Sequence, residues 1–320
     1  MIPNNPKLLK GGSFSTTEVL GPSTSLIVRK SVSTLVNREY GYVRLESQLR
    51  KLYILSKYFP DITPPVLSVG ADDNLFFYEI PYYKDYLTCH EAISASIDTN
   101  LILESLVSFF DSCSNVFYPN PLGSFSAYIY SELINPIRFA CETLIESSRH
   151  NLSEDESKIL LRNADMSLDI LTNLANYYQK DQIFQCLNHG NLTLENILWD
   201  PIHKSLMLID PYAETICESP LGDLSQIYQS CHSYYEIIDS HFSCDLFVPL
   251  VFPKHLAHPA LPQFARNLVA ELSSYTWYNE TTLRLFWASQ FTRMFYFKHD
   301  KNSRLAFLFL QHGIDIISEL

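Results

Sequence analysis

No stretch of the 320 residues approaches the ~20 consecutive apolar residues of a membrane span, and the opening, MIPNNPKLLKGG, lacks the apolar core of a secretory signal. The expectation is a cytoplasmic protein without a membrane anchor. Basic residues are also scarce: 23 Lys and Arg stand against 35 Asp and Glu, for a net charge of −12. Such a balance argues against unaided binding to nucleic acid or to an anionic membrane surface, although a few placed cations can still hold a phosphate locally. Seven cysteines (Cys89, Cys113, Cys141, Cys186, Cys217, Cys231, Cys244) include no C-x-x-C pair. An odd, scattered set fits reduced and mostly buried thiols better than a disulfide framework or a zinc site. Internal repeats and low-complexity tracts are absent.

What is present is an ordinary globular composition, 47% hydrophobic and 18% charged. Because single cores stop growing near roughly 250–300 residues, a chain of this length reads as two lobes. Residues 1–83 read as short extended segments around one helix. FSTTEVL, a Gly-Pro turn and LIVRKSV form one hairpin; VLSVG and LFFYEI flank the turn ADDN in a second. Between them NREYGYVRLESQLRKLYILSKY is helix-compatible and ends before FPDITPPVL, where three prolines stop it.

Residues 84–320 read as a larger, mainly helical lobe. LILESLVSFFDSC and YIYSELINPIRFACETLIESS carry apolar residues three and four apart. Over 153–179, Ser153 and Glu156 form a capping-box signature, followed by a stripe of Ile159, Leu160, Ala164, Leu168, Leu171, Leu174 and Ala175. These residues, like most of the 13% aromatic content, are core. PQFARNLVAEL, TLRLFWASQFTRMFYF and RLAFLFLQHGIDIISEL supply further helices. His232, His241, His255 and His258 have a spacing that defines no metal site.

One block carries chemistry. In HGNLTLENIL, Asn196 lies five residues after Asn191, the interval found in the H-R-D-x-x-x-x-N loop of phosphoryl transfer, whose final Asn holds magnesium. Downstream the strand SLMLID ends in Asp210, where a second magnesium ligand would emerge. The 14-position step from Asn196 to Asp210 accommodates a hairpin turning at DPIHK.

The run HGNLTLENILWD, LMLIDPYAE, LGDLSQIYQS resembles the aminoglycoside phosphotransferase and choline kinase superfamily, over a block of about 45 residues. It looks closest to bacterial phosphotransferases reading HGDLTLENIL that are encoded near surface-polysaccharide genes. The resemblance implies an α+β, bilobal protein-kinase-like fold: a small antiparallel sheet lobe with one helix, and a larger helical lobe. It implies ATP, or another nucleoside triphosphate, with magnesium bound by Asn196 and Asp210, and an ATP-dependent kinase acting on a hydroxyl of a small molecule such as a sugar or glycan precursor. His189 would prop the loop and Asp223 would brace it from the next helix, the alternative for Asp223 being a helix N-cap of its own. Lys30 matches the strand lysine that contacts the α and β phosphates, with Glu46 as its ion-pair partner and Glu39 as runner-up. Gly11, Gly12 and Ser13 would cover the phosphates, and main-chain groups near Glu79 and Ile80 would pair with adenine.

The chain departs from the family at Asn191, where members carry Asp. An amide can orient a hydroxyl but cannot accept its proton at neutral pH. Loss of a general base removes about 10²–10⁴-fold in rate, a loss that positioning and metal charge can survive in a loose transition state. Three readings follow: a kinase that tolerates Asn191 and uses Glu195, substrate or water as proton acceptor; a nucleotide-binding pseudokinase serving a protein or peptide partner; and nucleotidyl transfer on the same fold.

Overall fold

The computed structural model describes residues 7–9, 15–22, 24–35, 38–71, 74–116, 118, 122–146, 152–212, 216–242, 248, 250–253 and 258–320. In chain order the elements are β1 (Lys7–Leu8), β2 (Thr16–Leu20), β3 (Ile27–Ser33), α1 (Arg38–Tyr58), β4 (Ser68–Ala71), β5 (Leu75–Pro81), β6 (Leu87–Thr88), α2 (Cys89–Ser94) and α3 (Thr99–Ser114). Then come β7 (Leu122–Ser124), α4 (Phe125–Ile129), a π-helical turn (Tyr130–Ile134), α5 (Asn135–Glu146), α6 (Glu154–Tyr177), β8 (Gln182–Phe184), β9 (Ile197–Asp200) and β10 (Ser205–Leu208). The chain ends with α7 (Pro220–Cys231), α8 (Tyr235–Phe242), α9 (Ala260–Leu272), α10 (Glu280–Thr292), α11 (Met294–Lys298) and α12 (Ser303–Ser318). Two compact units result: Met1–Ala92 with His189–Thr215, and Ile93–Asn188 with Ile216–Leu320.

The first unit is built on an antiparallel sheet of order β1-β2-β3-β5-β4. The order strand, strand, helix, strand, strand is the one expected, with the short β1 added at the edge. Alternation along β3 sends Val28, Lys30 and Val32 to one face and Arg29 to the other. On β5, Phe76, Tyr78 and Ile80 share the first face, paired in register with Val32, Lys30 and Val28. That face and Leu45, Leu49 and Leu52 of α1 form one apolar core. Lys30 is therefore a cation buried within it, 4% exposed. A second, three-stranded sheet of order β10-β9-β6 belongs to the same unit. The β9–β10 hairpin turns over residues 201–204, where Asp200 Oδ1 accepts from the Ile202 and His203 amides at 2.8 and 3.1 Å.

The second unit is mainly helical. The α6 capping box forms as expected: Glu156 N donates to Ser153 Oγ at 3.2 Å and Ser153 N donates to Glu156 Oε2 at 2.7 Å. Its stripe is narrower than expected: Ile159 faces solvent, whereas Leu160, Ala164, Ser167, Leu171 and Ala175 are buried. The segment read as one helix over 128–148 is α4, a π turn and α5, and Pro136 supplies the reason. Without an N–H it cannot bond the Glu132 carbonyl one turn back, so the backbone widens and Asn135 N reaches Tyr130 O instead. The orphaned Glu132 carbonyl accepts from Thr292 Oγ1 of α10 at 3.0 Å. Among the described residues no helix is long and apolar enough to cross a membrane, and the six described cysteines are free thiols, five of them buried.

Candidate functional site

His189, Asn191, Asn196 and Asp210 converge in the first unit with Lys30, as a set of specific bonds. Lys30 Nζ lies 2.5 Å from Asp210 Oδ1, and both groups are largely withdrawn from water. Asn191 Nδ2 donates to the Asp210 main-chain oxygen at 2.9 Å, and Asn196 Nδ2 donates to the Asn191 main-chain oxygen at 2.9 Å. Ile209 N completes the circuit by donating to Asn196 O at 2.9 Å. With its nitrogen engaged, Asn196 keeps Oδ1 for another partner. Asp210 sits at φ 58°, in the left-handed region that few non-glycine residues other than Asn and Asp adopt.

The loop is seated by close backbone approach. Gly190 has φ 80°, and a Cβ there would lie 2.0 Å from the Tyr212 carbonyl oxygen. The site needs glycine on both counts. Tyr212 N in turn donates to His189 O at 3.0 Å, while Leu208 N donates to Ile62 O at 2.8 Å. His189 is fully buried. Burial pushes its pKa down to about 3, the Lys51 charge acting in the same direction against the opposing pull of Asp210 and the main chain at Asn191 and Ile209. The ring is thus neutral at pH 7. Tyr78, paired with Lys30 across β3 and β5, is held protonated by burial and by the negative charge of Asp210.

Other sequence candidates are placed differently. Glu46 is half-exposed on α1 and pairs with Arg50 at 3.1 Å, while the ionic partner of Lys30 among the described residues is Asp210. Glu46 lies off the stripe of Leu45, Gln48, Leu49, Lys51 and Leu52 that α1 buries. The Glu39 side chain and Gly11, Gly12 and Ser13 lie outside the described residues. Glu79 pairs through its carboxylate with Arg29 at 2.5 Å. Its carbonyl already accepts from Leu67 N at 2.8 Å. Ile80 is the last buried residue of β5, facing Val28. Glu195 is exposed.

Asp223 belongs to the second unit. It is buried in the first turn of α7, where a carboxylate suits the positive end of the helix dipole. Ser219, not Asp223, is the N-cap, its hydroxyl accepting from Leu221 N at 3.3 Å. Within that unit the segment leading to the loop is tied to the approach to α7: Cys186 N donates to Glu218 O at 3.0 Å and Asn188 Nδ2 to Ser219 O at 3.4 Å.

Two buried polar residues escaped the sequence reading. Lys51, 1% exposed, and Gln48, 4% exposed, lie three residues apart on the inward face of α1. Gln48 Oε1 is 3.5 Å from the Tyr78 hydroxyl. The signal was there: polar residues at positions that helical periodicity assigns to the core.

No protein-family model matches the chain, and no curated protein matches it significantly. Solved structures do. A thermostable mutant of aminoglycoside phosphotransferase APH(4)-Ia, in its apo form, aligns over 99% of this chain and 95% of its own, with a TM-score of 0.63 and 13% identity. Spectinomycin phosphotransferase APH(9)-Ia, in complex with ADP and spectinomycin, covers 99% and 93%, with a TM-score of 0.60 and 10% identity. The APH(2")-IIa of a streptomycin and ATP ternary complex covers 99% and 92%, with a TM-score of 0.57 and 12% identity. Sequence likeness is low throughout, and what the structures share is architecture. The chain has the protein-kinase-like fold in the form seen in the aminoglycoside phosphotransferases.

Proposed function

We propose that the protein is a cytoplasmic phosphotransferase that moves a phosphoryl group from ATP, or another nucleoside triphosphate, to a hydroxyl of a small polar molecule. The observation that carries this reading is the bonded set Lys30, Asn191, Asn196 and Asp210 on one unit. The set supplies what phosphoryl transfer needs, a cation and oxygen ligands fixed beside a residue that can orient a hydroxyl. Structures of the same fold hold AMP-PNP with hygromycin B, ATP with streptomycin, and ADP with spectinomycin, which supports a nucleotide and a small hydroxylated acceptor here. The acidic balance of the chain favours a neutral or cationic acceptor over an anionic one.

In this reading Lys30 exchanges Asp210 for the α and β phosphates. The Asp210 carboxylate and Asn196 Oδ1 fit magnesium, which takes hard oxygen donors and commonly keeps only one or two carboxylates besides phosphate and water. Bound there, the ion would neutralise charge on the phosphate oxygens. His189 stays neutral and fixes the loop. Asn191 offers its Oδ1 to the acceptor hydroxyl, whose proton passes to water, the exposed Glu195 or the substrate itself. Gly11, Gly12 and Ser13 over the phosphates, main chain around the end of β5 near Glu79 and Ile80 at the base, and Asp223 behind the loop complete the proposal.

One observation favours a second reading. Asn191 cannot act as a base, so the site also suits a pseudokinase that binds nucleotide and serves a protein partner. Incubation with γ-labelled ATP and a panel of aminoglycosides, sugars and amino alcohols separates the two. A labelled acceptor formed faster than ATP hydrolysis supports the transferase. Bound ATP with no transfer across the panel supports the pseudokinase.

A further inference from the structure

Asn191 occupies the position of the missing base, yet its amide already has work to do. The atom 2.9 Å from the Asp210 main-chain oxygen is Nδ2. Amide nitrogen and oxygen can be confused by shape, but a carbonyl oxygen only accepts, so chemistry fixes this orientation. The bonded carbonyl belongs to a residue at φ 58°, a backbone state that persists only when neighbours hold it. Leu208 and Tyr212 anchor the chain on either side through main-chain bonds to Ile62 and His189, and Lys30 holds the Asp210 carboxylate. The Asn191 amide is the side-chain donor that fixes the Asp210 peptide itself. The Asn191 main-chain carbonyl is in turn held by Asn196 Nδ2. Residue 191 is therefore bonded to both proposed metal ligands, to Asp210 through its side chain and to Asn196 through its main chain.

We infer that Asn191 is a positioning residue that clips the main chain of Asp210 into its metal-binding conformation, and that a carboxylate at 191 damages the site rather than restoring it. The inference rests on the proposed phosphotransferase reading only for its metal readout. Aspartate has the size of asparagine but no donor at neutral pH, so Asn191→Asp sets a carboxylate oxygen against the Asp210 carbonyl. Asn191→Ala removes the donor without adding repulsion. If 191 only faced solvent and acceptor, the near-isosteric Asn191→Asp would be the milder change.

The test compares native protein, Asn191→Asp and Asn191→Ala in two measurements. In thermal unfolding without ligand, Asn191→Asp should melt below Asn191→Ala, and about 4 °C or more below the native chain. In ATP titrations at varied magnesium, the magnesium midpoint should rise at least about tenfold for Asn191→Asp and about threefold for Asn191→Ala, a larger change than either variant shows in ATP affinity in EDTA. Those factors correspond to loss of a differential contact to the metal-bound state. An Asn191→Asp protein with native melting and a native magnesium midpoint, or with faster ATP turnover, overturns the inference. If Asn191→Asp does not fold, Asn191→Ala carries the magnesium test alone. If the native chain binds no ATP, the functional reading fails, and the melting order by itself decides the clip.

Discussion

Lys30 and His189 show how single residues set the character of the site. Lys30 is buried among Val28, Val32, Tyr78 and Ile80, and a buried ammonium is tolerated only with a partner. Asp210 provides it. Lys30→Met keeps much of the packing and removes the charge, and it should lower ATP affinity at least about tenfold, read by calorimetry, since a charge-assisted phosphate contact contributes about 1.5–3 kcal/mol. His189 makes the site acid-sensitive. Its pKa falls from an ordinary 6.5 to about 3 in the folded chain, so between those values the unfolded chain binds the extra proton. Stability is fully present above pH 6.5 and declines as pH falls toward 3, by about 1.4 kcal/mol per unit within the window. Urea unfolding at pH 7.5 and pH 5.0 should therefore show a loss about 2 kcal/mol larger in the native protein than in His189→Gln. Equal losses would mean that His189 is not buried neutral.

At the scale of elements, two predictions follow from backbone accounting. Gly190→Ala places a methyl 2.0 Å from a carbonyl oxygen at φ 80°. The variant should lose about 3 kcal/mol or more of stability, seen as a lower denaturation midpoint or failure to accumulate folded protein. Thr292→Val leaves the Glu132 carbonyl without the hydroxyl that replaces the N–H missing from Pro136. A loss of about 1–3 kcal/mol is expected in denaturant titration, with little change at the proposed ATP site. The same elements show what the sequence could tell. The strands around β3 and β5, the helix α1 and the α6 capping box were legible because each is written locally, in alternation, proline stops and a Ser-x-x-Glu pair. The π turn was not, because it depends on what Pro136 removes and on a hydroxyl over 150 residues away. Glu46 illustrates the same limit. Its distance from Lys30 along the chain suited an ion pair, whereas the angular position on α1 that places it beside Arg50 is set by which stripe the sheet buries.

At the scale of the whole molecule, the segment His189–Thr215 belongs with the N-terminal sheet although Ile93–Asn188 intervenes in sequence. The loop and the β9–β10 hairpin thereby share a unit with Lys30. Local patterns do not announce such grouping: the division at residue 83 read from the sequence leaves the loop and its hairpin with the helical lobe, because it follows the change of texture along the chain and not the pairing of strands distant in sequence. Asn191, where the resemblance leads one to expect Asp, was legible as a difference, whereas its bond to the Asp210 carbonyl was not. Under the proposed function, a protein of net charge −12 makes its strand lysine available to phosphate only once Asp210 turns to another ligand. The central claim is that magnesium and nucleotide bind together at Lys30, Asn196 and Asp210. Isothermal titration of ATP with and without magnesium, into the native chain and Asp210→Ala, tests it most directly. The account predicts magnesium-dependent binding to the native chain that is weakened about 100-fold or lost in Asp210→Ala, and binding that is absent from the native chain, or indifferent to Asp210→Ala, would contradict it.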